Sequence, residues 1–135
     1  MILGGANGAS RIGEHFWPTP NDAFVKERGL SHFAQPTVSG RLESALWGCV
    51  RNGGSRFHEG IDLKALNKDR RGEATDSIYA FDDGVVRYVN RSPGESSYGR
   101  YIVVEHPQWM PGMVTLYAHL SAMPDRISAG VSVRG

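Results

Sequence analysis

Apolar residues fall in short runs broken by Gly, Pro, Asn and Asp, which is the pattern of short strands joined by tight turns. The clearest run covers residues 113–120. Val114, Leu116, Ala118 and Leu120 alternate with Thr115, Tyr117 and His119, which predicts a strand with an apolar and a more polar face. Arg100-Tyr101-Ile102-Val103-Val104-Glu105 is a continuous run of β-formers, the signature of a central strand covered on both faces. Ile78-Tyr79-Ala80-Phe81 and Val85-Val86-Arg87-Tyr88-Val89 flank Asp82-Asp83-Gly84, and an Asp-Gly turn between apolar runs predicts a hairpin. Upstream, Thr37-Val38-Ser39-Gly40-Arg41 opens a β-like segment through residue 50, closed by the turn Asn52-Gly53-Gly54-Ser55. Residues 64–76 and 92–97 read as polar loops, and Val131 and Val133 begin a further strand. The expected fold class is all-β, an antiparallel sheet of short strands.

Residues 1–34 have a different character and read as a loop-rich N-terminal extension to a domain over residues 35–135. Gly4, Gly5, Gly8 and Gly13 discourage regular structure, and Trp17-Pro18-Thr19-Pro20 is extended or turning. Asn21-Asp22 could cap a short helix through Gly29. His15 and His32 in this stretch read as surface or packing residues.

Composition narrows the choice of function. The chain has 135 residues, enough for one domain with a real core. Fifteen Lys and Arg against fourteen Asp and Glu leave no electrostatic case for nucleic-acid binding. No apolar run approaches the about 18–20 residues of a membrane span, and no export signal is legible at the amino terminus. Cys49 is the sole cysteine, so it has no disulfide or CxxC partner, and its apolar flanks suggest a small buried hydrophobe.

The stretch with most chemistry is Arg56-Phe57-His58-Glu59-Gly60-Ile61-Asp62-Leu63-Lys64. Imidazole nitrogen and carboxylate oxygen bind zinc at about 2.0–2.2 Å, so two donors on one tetrahedral ion stand about 3–3.5 Å apart. Residues four apart on a straight strand are separated by about 13 Å. His58 and Asp62 can share a metal only if the backbone bends at Glu59-Gly60 or the segment is helical. Spacing alone also permits a purely structural hydrogen-bonded pair.

Four motifs in order resemble the lysostaphin-type (LytM-type) zinc metallopeptidases, which cut peptide bonds of bacterial peptidoglycan. They are Gln35-Pro36-Thr37-Val38-Ser39-Gly40-Arg41, then Phe57-His58-Glu59-Gly60-Ile61-Asp62-Leu63, then Ala80-Phe81-Asp82-Asp83-Gly84-Val85-Val86. The fourth is the pair Tyr98-Gly99-Arg100-Tyr101-Ile102-Val103-Val104-Glu105-His106 and Thr115-Leu116-Tyr117-Ala118-His119-Leu120-Ser121. The resemblance covers residues 35–135. It implies His58 and Asp62 as Zn2+ ligands and His119 as the catalytic histidine that positions or deprotonates the attacking water. His106 matches a family histidine without a ligand role and is expected to be structural.

The family's third ligand comes from a His-x-His motif downstream of the Tyr-Ala-His-Leu strand, and this sequence contains none. The expectation is a C-terminally truncated peptidase domain, inactive by itself, whose parent acts outside the cytoplasmic membrane in the periplasm or cell envelope. The implied partner is the peptide part of peptidoglycan. Two other readings stand beside it: a non-catalytic module of the same fold that binds or activates cell-wall hydrolases, and a metal-free carbohydrate- or peptide-binding β-domain.

Overall fold

The structure, a computed structural model, describes residues 9–135. The expectation for Gly4, Gly5 and Gly8 lies outside the described residues. In chain order, β1 (Arg11–Ile12) and β2 (His15–Phe16) form a small ribbon, followed by the one-turn helix α1 (Leu30–Phe33). A second ribbon pairs β3 (Gly48–Arg51) with β4 (Arg56–His58). The main sheet contains β5 (Gly84–Asn90), β6 (Tyr101–Glu105), β7 (Val114–Tyr117) and β8 (Ser132–Val133), in the order β7-β6-β5-β8. Every strand pairing among the described residues is antiparallel, and the fold is all-β.

The sheet follows from the alternation in β5 and β6. Val86, Ile102 and Val104 point to one side and are fully buried with Ala80, Leu120, Ile127 and Val133. β6 is central, as its run of β-formers suggests, but Tyr101, Val103 and Glu105 on its other face are only half-buried. The expected hairpin across Asp82-Asp83-Gly84 does not form. β5 is flanked by β6 and β8, so both of its edges are taken. Residues 79–81 instead run beside the N-terminal stretch, with Tyr79 N–H donating to Pro18 O and Phe16 N–H to Phe81 O, each at 2.9 Å.

In β7 the alternation is inverted: Val114 and Leu116 are exposed, while Thr115 and Tyr117 turn inward. The polar pair is drawn in by a hydrogen-bonded chain. His106, fully buried, makes 2.8 Å bonds from Nδ1 to Asp83 O and from Nε2 to Thr115 Oγ1. Thr115 Oγ1 and Tyr117 Oη share a 2.9 Å bond, and Phe81 N–H donates to Tyr117 Oη at 2.8 Å. Burial pushes the Tyr117 phenol up, against the pull of its Thr115 bond. A buried polar group is tolerated only when paired, and each of these is.

A second core gathers Ala23, Phe33, Ala34 and Ala45, with Leu30, Leu42, Leu46 and Leu63 packed around it. The line drawn at residue 35 falls inside this cluster. Asn21, buried, donates through Nδ2 to Lys64 O at 2.7 Å and His32 O at 3.0 Å, tying the early chain to residues past the His58 motif. The helix expected after Asn21-Asp22 is a set of turns, interrupted where Glu27 adopts φ 54°; the helical turn follows at α1. The strand expected from residue 37 is likewise a turn and a 3-10 segment, Leu42–Ala45. Ser44 Oγ accepts from Thr37 N–H at 3.0 Å and donates to Arg41 O at 2.6 Å. Such side-chain bonds compete with the ladder bonding of a strand. Cys49 is exposed rather than buried, because β3 belongs to an isolated two-stranded ribbon and turns that side chain outward.

This packing can be tested at a glycine and at two carboxylates. A Cβ on Gly84 would lie 2.5 Å from Glu105 O and 2.6 Å from Val104 Cγ1, whereas one on Gly94 would meet nothing within 4 Å. Gly84→Ala is expected to cost about 1–3 kcal/mol by overpacking, and Gly94→Ala far less, in paired urea titrations. The second test concerns acid. Partial burial raises the Asp82 carboxyl, but bonds from Trp109, the Asp83 N–H and His15 outweigh this and hold it below the ordinary range. Asp22 is lowered by bonds from Ser10 and Lys26. A lowered folded value means stabilisation that is complete above about pH 4, the unfolded value, and lost as pH falls through the folded one. The urea midpoint should therefore drop as pH is lowered from about 5 to 2, and Asp82→Asn should flatten that drop.

Candidate functional site

The β3–β4 ribbon turns through Asn52 and Gly53, which sit in the left-handed region at φ 51° and φ 66° respectively. Asn-Gly hairpin turns favour that conformation. This turn sets Gly48 opposite His58 at the end of β4. The chain then bends at Gly60, without using glycine's left-handed region. Past the bend, Asp62 N–H donates to Ala45 O and Gln35 N–H donates to Asp62 O, each at 2.9 Å, and Leu63 bridges to Ala34.

The bend brings His58 Nε2 to 3.4 Å from Asp62 Oδ1. His58 Nδ1 lies 2.8 Å from Leu46 O. A carbonyl can only accept, so Nδ1 carries the proton and the Nε2 lone pair is free in the neutral ring. The 3.4 Å gap is longer than an ordinary hydrogen bond and suits two donors on one tetrahedral ion. Metal-ligating histidines usually give their second ring N–H to a carbonyl or carboxylate, as His58 does to Leu46. The two side chains are 13% and 28% exposed, reachable from solvent yet held from behind. On donor chemistry and spacing, this pair fits a zinc ion.

Each member of the pair has a neighbour that sequence reading missed. Arg51 Nη2 reaches Asp62 Oδ2 at 2.5 Å. Tyr98 donates its hydroxyl to Glu59, next to His58. That carboxylate, followed by partial loss of solvent, holds the Tyr98 phenol above its ordinary value. Tyr98 also accepts the backbone N–H of His119 through its carbonyl at 2.9 Å. One residue thus joins the His58 loop to the His119 segment.

His119 does not project from a strand as its alternation suggested. β7 ends at Tyr117, and His119 takes φ 55°, exposed, with its ring against Gly99. The left-handed residue breaks the alternation and lets Leu120 return to the core. His106 lies in the interior network described above. Among the described residues, no group of three His, Cys, Asp or Glu side chains is placed to hold a metal ion.

The family model for peptidase family M23 matches residues 56–135, more than half of the chain. The chain belongs to peptidase family M23. This is the lysostaphin-type family to which its motifs point, and membership supports peptidase activity in general. Neither the curated proteins nor the solved structures contain a match. In this M23 chain, Leu46, Arg51, Ala45 and Gln35, which hold His58 and Asp62, all precede the matched residues. No helix among the described residues is long and apolar enough to cross a membrane.

The roles of Arg51 and Tyr98 were invisible for a physical reason: Arg51 reaches Asp62 across the β3–β4 turn and Tyr98 reaches Glu59 from 39 residues away, and no residue spacing reports either closure. The one available signal was Asn52-Gly53, which predicts that the strands on either side pair.

The M23 chain's His119 can be probed through its neighbour. Gly99 has φ 62°, and a Cβ there would stand 3.7 Å from His119 Nδ1. Gly99→Ala is expected to cost about 1–2 kcal/mol from the left-handed backbone. It should move the His119 imidazole resonances in NMR spectra while leaving those of buried His106 in place.

Proposed function

We infer that this chain carries the zinc-binding part of a metalloendopeptidase that hydrolyses peptide bonds of bacterial cell-wall peptidoglycan. The observation that carries the reading is the 3.4 Å approach of His58 Nε2 to Asp62 Oδ1, with the other His58 nitrogen committed to Leu46 O. Membership of peptidase family M23 supports it. His58 and Asp62 are the proposed metal ligands, with residues 35–135 as the peptidase unit and the residues before them as a segment packed onto it.

When bound, zinc supplies Lewis acidity that polarises the scissile carbonyl and makes water a stronger acid. His58 offers Nε2, and its Nδ1–H bond to Leu46 O keeps the ring in the required tautomer and orientation. Asp62 offers Oδ1, its backbone fixed at both N–H and C=O. His119, exposed and turned out of the sheet, is the proposed catalytic histidine, an imidazole that can pass a proton to or from the reacting groups. The proposed substrate places the working protein outside the cytoplasmic membrane.

Catalytic zinc sites generally have three protein ligands, and this reading assigns two within the 135 residues. Weak zinc binding and little hydrolysis are therefore expected of the chain alone. The second reading is a non-catalytic module of the same fold that binds or activates cell-wall hydrolases, and the presence of His58, Asp62 and His119 together counts against it.

Zinc affinity, measured by competition with a chromophoric chelator, tests the reading. His58→Ala and Asp62→Ala should each weaken binding by more than the about 10–100-fold typical of losing an outer partner. Zinc binding that ignores both substitutions would sink the metal site. Zinc binding that depends on them, with peptidoglycan cleavage absent from a longer version that supplies a third ligand, or unchanged there by His58→Ala and His119→Ala, would favour the non-catalytic module.

A further inference from the structure

Arg51 lies outside the sequence motifs and five residues before the family match begins. Its guanidinium has two fixed partners. Nε donates to Ser44 O at 3.1 Å, and Nη2 reaches Asp62 Oδ2 at 2.5 Å. Ser44 is buried and pinned in turn, its Oγ bonded to Thr37 N–H and Arg41 O. The Arg51 and Asp62 side chains are both largely shielded from water. This is therefore not a fully solvated pair of the kind that contributes little.

The backbone of Asp62 is held by Ala45 and Gln35, but backbone bonds leave both side-chain torsions of an aspartate free. A planar guanidinium can fix such a carboxylate, since its N–H groups diverge from one rigid frame. We propose that Arg51 is a positioning residue for the candidate metal pair: by holding Asp62 Oδ2 on a frame anchored at Ser44 O, it leaves Oδ1 turned toward His58 Nε2. Its use in metal binding rests on the zinc reading above; its effect on the carboxylate does not. An arginine acting only through its charge would repel a nearby cation, so the two roles predict opposite changes when it is removed.

The test uses the full 135-residue chain with Arg51→Met and Arg51→Lys, read in two ways. Crystal structures of the metal-free proteins give the His58 Nε2 to Asp62 Oδ1 separation, expected to open from 3.4 Å in Arg51→Met as the carboxylate rotates. Zinc competition titrations should show Arg51→Met weaker by about 10–100-fold, with Arg51→Lys intermediate because an ammonium supplies the charge without the fork. In an Asp62→Asn background, Arg51→Met should change zinc affinity no further, as expected of two residues acting in series. A separation unchanged in Arg51→Met, or zinc bound equally or more tightly, overturns the proposal. If Arg51→Met does not fold, the Arg51→Lys separation and affinity decide it on the same criteria. If the separation depends on Arg51 but the unsubstituted chain binds no zinc, the positioning role stands and the metal reading falls.

Discussion

Three consecutive backbone carbonyls hold the candidate site. Ser44 O takes Arg51 Nε, Ala45 O takes the Asp62 N–H, and Leu46 O takes His58 Nδ1. Their availability is a property of the 3-10 segment Leu42–Ala45. A helical turn uses its early carbonyls internally and leaves its last ones without intrahelical partners. Here Arg41 O and Glu43 O accept within the turn, and the next three are free to accept from the site. Such groups must find partners wherever they are shielded from water. The same need that closes the turn therefore orients a histidine, an aspartate and an arginine, and Ala45, packed without exposure, keeps the row from shifting.

The proposed site residues are divided between two cores. His58 and Asp62 are tied through Leu46 and Ala45 to the cluster around Phe33, whereas His119 leaves the main sheet beside Leu120 of the other. Tyr98 makes one of the polar links across this divide, its hydroxyl on Glu59 and its carbonyl on the His119 N–H. Within the main sheet, the buried chain from His106 through Thr115 to Tyr117 and Phe81 serves a different end: it decides which face of β7 turns inward.

Much of the fold was legible because it depends on neighbours in sequence. The β-formers at residues 101–105, the Asn52-Gly53 turn and the His-x-Gly-x-Asp spacing each report a local preference that survives in the structure. The misreadings share one cause, a distant partner overriding a local signal. Thr115 lies on what reads as the more polar face of β7 until His106 supplies a buried hydrogen-bond partner. Asp82-Asp83-Gly84 has the chemistry of a hairpin turn, but β8, far downstream, takes the edge that the hairpin would have used. Cys49 has apolar flanks, yet on the two-stranded β3–β4 ribbon it is exposed. In the candidate site the donor residues could be named in advance, whereas the groups aiming them could not, because backbone carbonyls have no sequence signature.

The carbonyl row has a consequence for how this protein is cut and handled. Recognition by family likeness starts at Arg56, but the scaffolding behind His58 and Asp62 starts at least as early as Asn21, through its bonds to His32 O and Lys64 O. A unit of sequence likeness and a unit of mechanical support are thus offset by the whole stretch from Asn21 to Arg56. A piece trimmed to the recognisable part would retain every proposed donor atom and lose what points them at each other.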